Sequence, residues 1–295
     1  MKMHKSLLTG TLVSLAILFA AAVSFAGAHG HGDAHVKKGI LLVAFGSSMP
    51  QAQISFENID KKVKSTYPDV EIRWGYTSHI IRKKLAKQGQ MRDSVVTALS
   101  KMMDEGFTHV AVQSLHTIRG EEYDDLKAAI TAFAHLPAGM KIVLGAPLLS
   151  SEKDIQAVTD AIVANIPAKR KKNEAVVLMG HGTPHPSNAF YASLMFHLQR
   201  KDPNIFVGTV EGAPDIDDIE TMLKGKQIKK AWLMPFMSVA GDHARNDMAG
   251  EEADSWKSIL TKAGISCEAV LKGTAEFDNM LDIWAGHLAV AMAHL

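Results

Sequence analysis

The stretch Gly39-Ile40-Leu41-Leu42-Val43-Ala44-Phe45 carries no polar side chain and stops at Gly46-Ser47-Ser48. A short apolar run closed by a turn signal reads as a parallel strand buried on both faces, since a half-buried strand alternates polar with apolar. A helical pattern follows from Pro50 to Lys64. Similar runs recur at Val70–Gly75, His109–Ser114 and Lys141–Gly145, separated by helix-length amphipathic segments such as Ser94–Glu105 and Tyr123–His135. Strands alternating with helices predict parallel βαβ units.

The pattern then restarts. Ala175–Met179 ends in Gly180-His181-Gly182-Thr183, and further strands are expected at Ile205–Val210, Lys230–Pro235 and Ser266–Leu271. Helices are expected around Asn188–Gln199, Ile216–Lys224 and Asn246–Lys262, and Glu276–His294 closes the chain. Laying the first half on the second brings Gly75 onto Glu211, a weak internal match that suggests a duplicated lobe. The fold class is therefore α/β, with two similar lobes over residues 39–168 and 169–295, each a parallel sheet flanked by helices. The run Lys169-Arg170-Lys171-Lys172 after Pro167 reads as a solvated linker.

Composition narrows the chemistry. Among 295 residues, 47% are hydrophobic and 21% charged, which excludes collagen-like, coiled-coil and disordered classes. With 32 Lys+Arg against 31 Asp+Glu there is no basic excess to track a phosphate backbone, so nucleic acid is not an expected partner. The single cysteine, Cys267, permits no internal disulfide and no thiolate cluster, so metal chemistry falls to the 14 histidines and the carboxylates.

The first residues read as an export signal. Lys2 and Lys5 precede an uncharged apolar run from Leu7 to Phe25, and small residues follow, with cleavage expected after Ala26 or Ala28. The competing reading is a retained membrane anchor, because the run approaches spanning length. Cleavage implies a periplasmic mature protein with no membrane association. Residues 29–38 then form a leader containing His29, His31 and His35. Either cut leaves a histidine third from the new terminus, which can give a square-planar nitrogen set for Cu(II) or Ni(II); an accidental polar leader reads equally well.

In open α/β sheets, functional groups gather at the carboxyl ends of strands. His181, Glu211 and His243 all fall there in the second half. Two imidazoles and a carboxylate suit a divalent first-row metal with a position left open. Glu211 alone also reads as a helix-start carboxylate, and either histidine alone as an ordinary loop residue.

These residues sit in recognisable motifs. Leu42–Ser48, Tyr76-Thr77-Ser78-His79-Ile80-Ile81-Arg82, Val112-Gln113-Ser114-Leu115-His116, Gly180-His181-Gly182-Thr183, Val210-Glu211-Gly212 and Gly241-Asp242-His243-Ala244-Arg245-Asn246-Asp247-Met248 resemble the anaerobic-type sirohydrochlorin cobaltochelatases, ATP-independent class II tetrapyrrole chelatases. The resemblance runs from Lys38 to the end. It implies a chelatase-like fold with a tetrapyrrole in the interdomain cleft, insertion of Co²⁺ or alternatively Fe²⁺, and metal ligands at His181, Glu211 and His243. Relatives that make cobalamin precursors work in the cytoplasm, so the export signal is a departure from the family pattern.

The implied reaction removes two pyrrole protons as the metal enters. A neutral imidazole can hold a metal and accept a proton near pH 7, and His181 is the leading candidate for both. The implied substrate carries many carboxylates, so Arg82, Arg119 and Arg245 are candidates for a cationic rim, each with an exposed helix-surface charge as its plain alternative. Ser47, Ser48 and Ser78 are hydrogen-bond donors or helix caps. Phe45, Phe236 and Met237 offer apolar contact or core packing. His79 and His116 stand open between core histidines, a second metal site and a ligand for a metallotetrapyrrole; His185 is secondary. No Gly-x-x-x-x-Gly-Lys-[Ser/Thr] loop occurs, so no nucleotide is expected. A non-catalytic periplasmic binding protein for metal or tetrapyrrole is the alternative function. Oligomeric state stays open, a homo-oligomer included.

Overall fold

The computed structural model describes residues 36–137 and 139–295; the expected signal and the leader histidines lie outside them. Four strands of the first half, β1 (Lys38–Ala44), β2 (Glu71–Tyr76), β3 (His109–Ser114) and β4 (Lys141–Gly145), form a parallel sheet ordered β2-β1-β3-β4. The second half repeats this with β5 (Ala175–Gly182), β6 (Ile205–Glu211), β7 (Lys230–Pro235) and β8 (Ser266–Ala269), ordered β6-β5-β7-β8. The helices are α1 (Gln53–Thr66), α2 (His79–Lys87), α3 (Val95–Asp104), α4 (Glu121–Ala134), α5 (Glu152–Asn165), α6 (Ala189–Lys201), α7 (Ile216–Gly225), α8 (Trp256–Lys262) and α9 (Asp278–Ala293). In each sheet the chain leaves the first strand to one side and returns on the other. That switch point opens a crevice at the strands' carboxyl ends.

Residues of alternating parity on the central strands feed different cores. Ile40, Leu42 and Ala44 of β1 join Val176 and Leu178 of β5 in one central cluster, which also takes Val158 of α5, Leu194 of α6 and Trp284 of α9. Leu41 and Val43 point the other way, onto Leu99 and Met102 of α3 and Leu126 of α4. Ala175, Val177 and Met179 likewise meet α7 and α8 through Ile219, Leu223, Trp256 and Leu260. The shared central cluster makes the halves one body. Among the described residues no helix is long and apolar enough to cross a membrane.

Three local expectations change. The last helix does not stay with the second sheet: α9 packs on β3 and β4 and against α1 and α5, while α5 packs on α6. The tie is polar as well, because His287 Nε2 of α9 lies 2.9 Å from Asp154 Oδ1 of α5. The expected helix over Asn246–Lys262 is broken into a π-helical turn, Ala244–Met248, and α8. Ser255 makes the break, since its Oγ accepts from the Ser258 amide as the N-cap of α8 and donates to the Gly250 carbonyl. Finally, Arg170 is no solvated linker residue. Its guanidinium is buried against the Asp202 carboxylate and donates to the Glu174 carbonyl at 2.9 Å, fastening the connection to the second sheet.

Candidate metal centre and its cleft

β5 does not end before His181, as its sequence suggested, but runs through Gly182, which pairs with Glu211 at the end of β6. The backbone at Gly182 has φ +83°, and a Cβ there would lie 1.9 Å from the Glu211 carbonyl oxygen, so only glycine fits. This lets two strand tips close on each other. Behind them, the Tyr191 ring fills the space where a Cβ on Gly180 would stand. The buried Tyr191 hydroxyl reaches the backbone of Gly182 and His181, and burial pushes its pKa up to about 12, so it stays a neutral brace.

His181 and His243 come together, with ring centroids 4.8 Å apart and planes at 85°. Each ring is anchored through Nδ1. His181 Nδ1 lies 3.0 Å from the Gly182 carbonyl, an acceptor only, so that nitrogen donates. His243 Nδ1 bonds the Asp247 carboxylate four residues on, across the π-helical turn. In its neutral form each imidazole then leaves the Nε2 lone pair free to bind a metal or take a proton. Insertions of the π type recur at functional sites, and this one sets Asp247 under His243. Asp247 was missed in the sequence reading, although its spacing from His243 was visible. Glu211 is exposed on the same wall, but its carboxylate does not close on the pair. Among the described residues no three His, Cys, Asp or Glu side chains stand ready-made around one metal position.

A cleft of about 440 Å³ opens over these groups, within the range of small-molecule sites. Its second-half wall includes His181, Thr183, Glu211, Met237, Ser238 and His243; its first-half wall includes Phe45, Ser47, Ser48, Lys84, His116 and Thr117. Phe45 is exposed, its ring 6.4 Å from that of His181. Ser47 reaches across, its Oγ bonding the Met49 amide while lying where a Cβ on Gly241 would touch it. Phe236 instead is buried edge-on to Tyr191, a core residue. His185 turns away, with Nδ1 on Ser187 and Nε2 3.5 Å from Asp124.

The expected cationic rim is not what lines this cleft. Arg82, Arg119, Arg245 and Ser78 are absent from its lining, and so is His79; Lys84 is the one Lys or Arg there among the described residues. Ser78 caps α2, accepting from the Ile81 amide, and Arg119 lies over the Tyr123 ring at 5.9 Å. The same lining holds Glu121, Glu122, Asp125, Glu211 and Asp242. The reason is local. Glu121, Glu122 and Asp124 occupy the first turn of α4, where carboxylates complement the helix dipole, and Glu121 and Glu122 line the cleft. The lining thus favours a cation over an anion.

Paired parallel sheets with the site between their strand tips define a chelatase-type fold. The chain aligns with SirB of Bacillus subtilis, solved with Fe³⁺, at a TM-score of 0.58 and 15% identity, covering 87% of this chain and 96% of that one. CbiX, described as the terminal enzyme of sirohaem biosynthesis in denitrifying bacteria, aligns at a TM-score of 0.51 and 17% identity, covering 86% and 99%. Sequence then fixes the family. Residues 38–293 match the model of the cobalt chelatase (CbiK) family, and the chain belongs to that family. It is 45% identical over 259 residues to the sirohydrochlorin cobaltochelatase CbiKC of Nitratidesulfovibrio vulgaris, covering 88% of this chain and 92% of that protein. It is 34% identical over 259 residues to the sirohydrochlorin cobaltochelatase of Salmonella typhimurium, covering 87% and 97%.

Proposed function

We propose that this protein is a sirohydrochlorin cobaltochelatase that inserts Co²⁺ into the macrocycle without nucleotide, with Fe²⁺ as the alternative metal. The observation that carries the reading is the pair of imidazoles 4.8 Å apart, each held by Nδ1, which leaves Nε2 of the neutral ring as the free ligand atom. The acidic lining draws the cation in. His181 and His243 take it, and Glu211 swings onto it, offsetting charge. Such a set forms only when metal arrives, and a loose site releases its ion more readily than a closed tetrahedral cage.

Insertion replaces two pyrrole N–H protons by the metal, so two N–H bonds break and two protons leave as the ion bonds to the four ring nitrogens. His181 Nε2, freed as the ion passes to the ring, accepts one of them; water at the open cleft carries protons away. Asp247 stabilises the imidazolium form of His243 in the same way that it orients the neutral form. Phe45 and Met237 offer apolar contact for the ring face. Lys84 meets a peripheral carboxylate, and Arg82 and Arg245, each within two residues of a lining residue, meet those that project beyond the cleft. The segment over residues 1–28 supports placing this activity in the periplasm.

The competing function, a non-catalytic metal or tetrapyrrole carrier, uses the same cleft. A multiple-turnover assay separates them. Catalytic protein mixed with excess metal-free sirohydrochlorin and Co²⁺ converts many equivalents, followed by loss of the free-base spectrum. A yield that stops at one equivalent per protein makes it a carrier.

A further inference from the structure

His116 stands two residues beyond the end of β3, as Met237 stands two beyond the end of β7, so the two halves place these residues at matching points of the cleft. The metal-handling chemistry above makes no use of it. His116 is one of the residues lining the cleft, and its Nδ1 lies 2.8 Å from the hydroxyl of the fully buried Ser114. Its Nε2 is screened from solvent and has no hydrogen-bond partner among the described residues. A buried polar atom left unpaired destabilises the fold and calls for an explanation.

The hydrogen-bond inventory fixes which kind of partner is missing. Ser114 Oγ has one hydrogen to give, and among the described residues His116 Nδ1 is the one acceptor within its reach; the same Oγ accepts from the His116 amide at 3.4 Å. With Ser114 donating to Nδ1, the neutral ring carries its proton on Nε2. The ring is also kept neutral, since burial lowers its pKa to about 4. His116 is thus the reverse of His181 and His243, whose Nδ1 donates and whose Nε2 is the bare nitrogen of the neutral ring. An Nε2–H cannot ligate a metal, but it can donate to an oxyanion.

We infer that His116 is a substrate-binding residue whose Nε2–H donates to a side-chain carboxylate of the macrocycle, holding one edge of the ring against the first-half wall while the His181–His243 pair works from the other. This rests on the reading that the cleft receives a carboxylate-rich tetrapyrrole. It assigns the two walls separate tasks, anion recognition at His116 and metal handling at His181 and His243. It also supplies a buried donor in a lining otherwise dominated by carboxylates.

The test uses the full protein, metal-free sirohydrochlorin and its fully methyl-esterified form. Binding is followed by fluorescence titration without metal, beside a Co²⁺ titration without macrocycle. A hydrogen bond to a charged group contributes about 1.5–3 kcal/mol, or about 10–100-fold in affinity. His116→Phe is expected to weaken sirohydrochlorin binding by about that factor, to change ester binding far less, and to leave Co²⁺ binding unchanged. His116→Gln, which keeps an N–H donor, is expected to recover much of the loss. Equal sirohydrochlorin binding by wild type and His116→Phe overturns the assignment, as does an equal loss with the ester. A fall in Co²⁺ affinity makes His116 a metal ligand and also overturns it. A wild type that binds no sirohydrochlorin instead removes the substrate reading beneath it.

Discussion

Asp247→Ala cuts the support under His243, one of the two imidazoles proposed to take the metal, without removing a proposed ligand. His243 Nδ1 has Asp247 as its partner across the π-helical turn; without it the ring can rotate, shift its proton to Nε2 and lose ligand basicity. Removing such a partner costs about 10–100-fold in metal affinity, which is about 1.4–2.8 kcal/mol. The side chains of His243 and Asp247 are 36% and 44% exposed, so solvent screens the pair and the low end applies. Co²⁺ affinity should therefore fall about tenfold in Asp247→Ala, read by competition with a chromophoric chelator. Asp247→Asn, which keeps an acceptor oxygen but no charge, should fall between the two. An exposed pair adds about 1 kcal/mol or less to folding, so the urea midpoint should barely move. Unchanged Co²⁺ affinity in Asp247→Ala, in a protein of unchanged stability, refutes the orienting role and weakens the case for His243 as a ligand.

Two further predictions probe the supporting structure. Gly182→Ala forces a Cβ into the Glu211 carbonyl and a left-handed φ on alanine; it should cost about 1–3 kcal/mol in urea unfolding and weaken Co²⁺ binding, and a variant of wild-type stability contradicts the strand-tip closure. Burial pushes the Asp154 carboxyl up, but hydrogen bonds from Ser150, His287 and Ser151 outweigh it and hold the pKa below the usual range. A depressed carboxyl stabilises the fold above its unfolded pKa of about 3.9 and loses that contribution as pH falls through the folded value. Asp154→Asn should therefore be less stable than wild type by about 2–3 kcal/mol at pH 7, with the gap closing below about pH 4; a gap independent of pH contradicts the assignment.

Much of this architecture was legible because buried parallel strands exclude polar residues. Runs such as Gly39–Phe45, Ala175–Met179 and Ile205–Val207 stand out against amphipathic helices, and the ends of the strands that hold the last two carry His181 and Glu211. Other features depend on contacts that a linear pattern does not carry. The apolar face of α9 does not say which sheet it covers, and only the fold puts His287 on Asp154. Glu121 and Glu122 read as ordinary first-turn carboxylates until α4 is seen pointing at the cleft. The motif around His243 was visible, but a π-helical turn that sets Asp247 beneath it is a matter of backbone geometry. The three arginines sat at strand ends on paper, whereas neighbouring residues, Lys84 among them, are the ones that line the cavity.

The most direct measurement follows the bound metal ion into the product. Protein loaded with one equivalent of Co²⁺ is mixed with metal-free sirohydrochlorin beside an excess of chelator that captures free Co²⁺ at once. Wild type is expected to pass its bound ion to the ring despite the chelator, giving up to one equivalent of cobalt–sirohydrochlorin. His181→Ala and His243→Ala, loaded in the same way, are expected to lose their cobalt to the chelator. Complete capture of the ion from wild type, or equal transfer by both variants, contradicts insertion from the His181–His243 site.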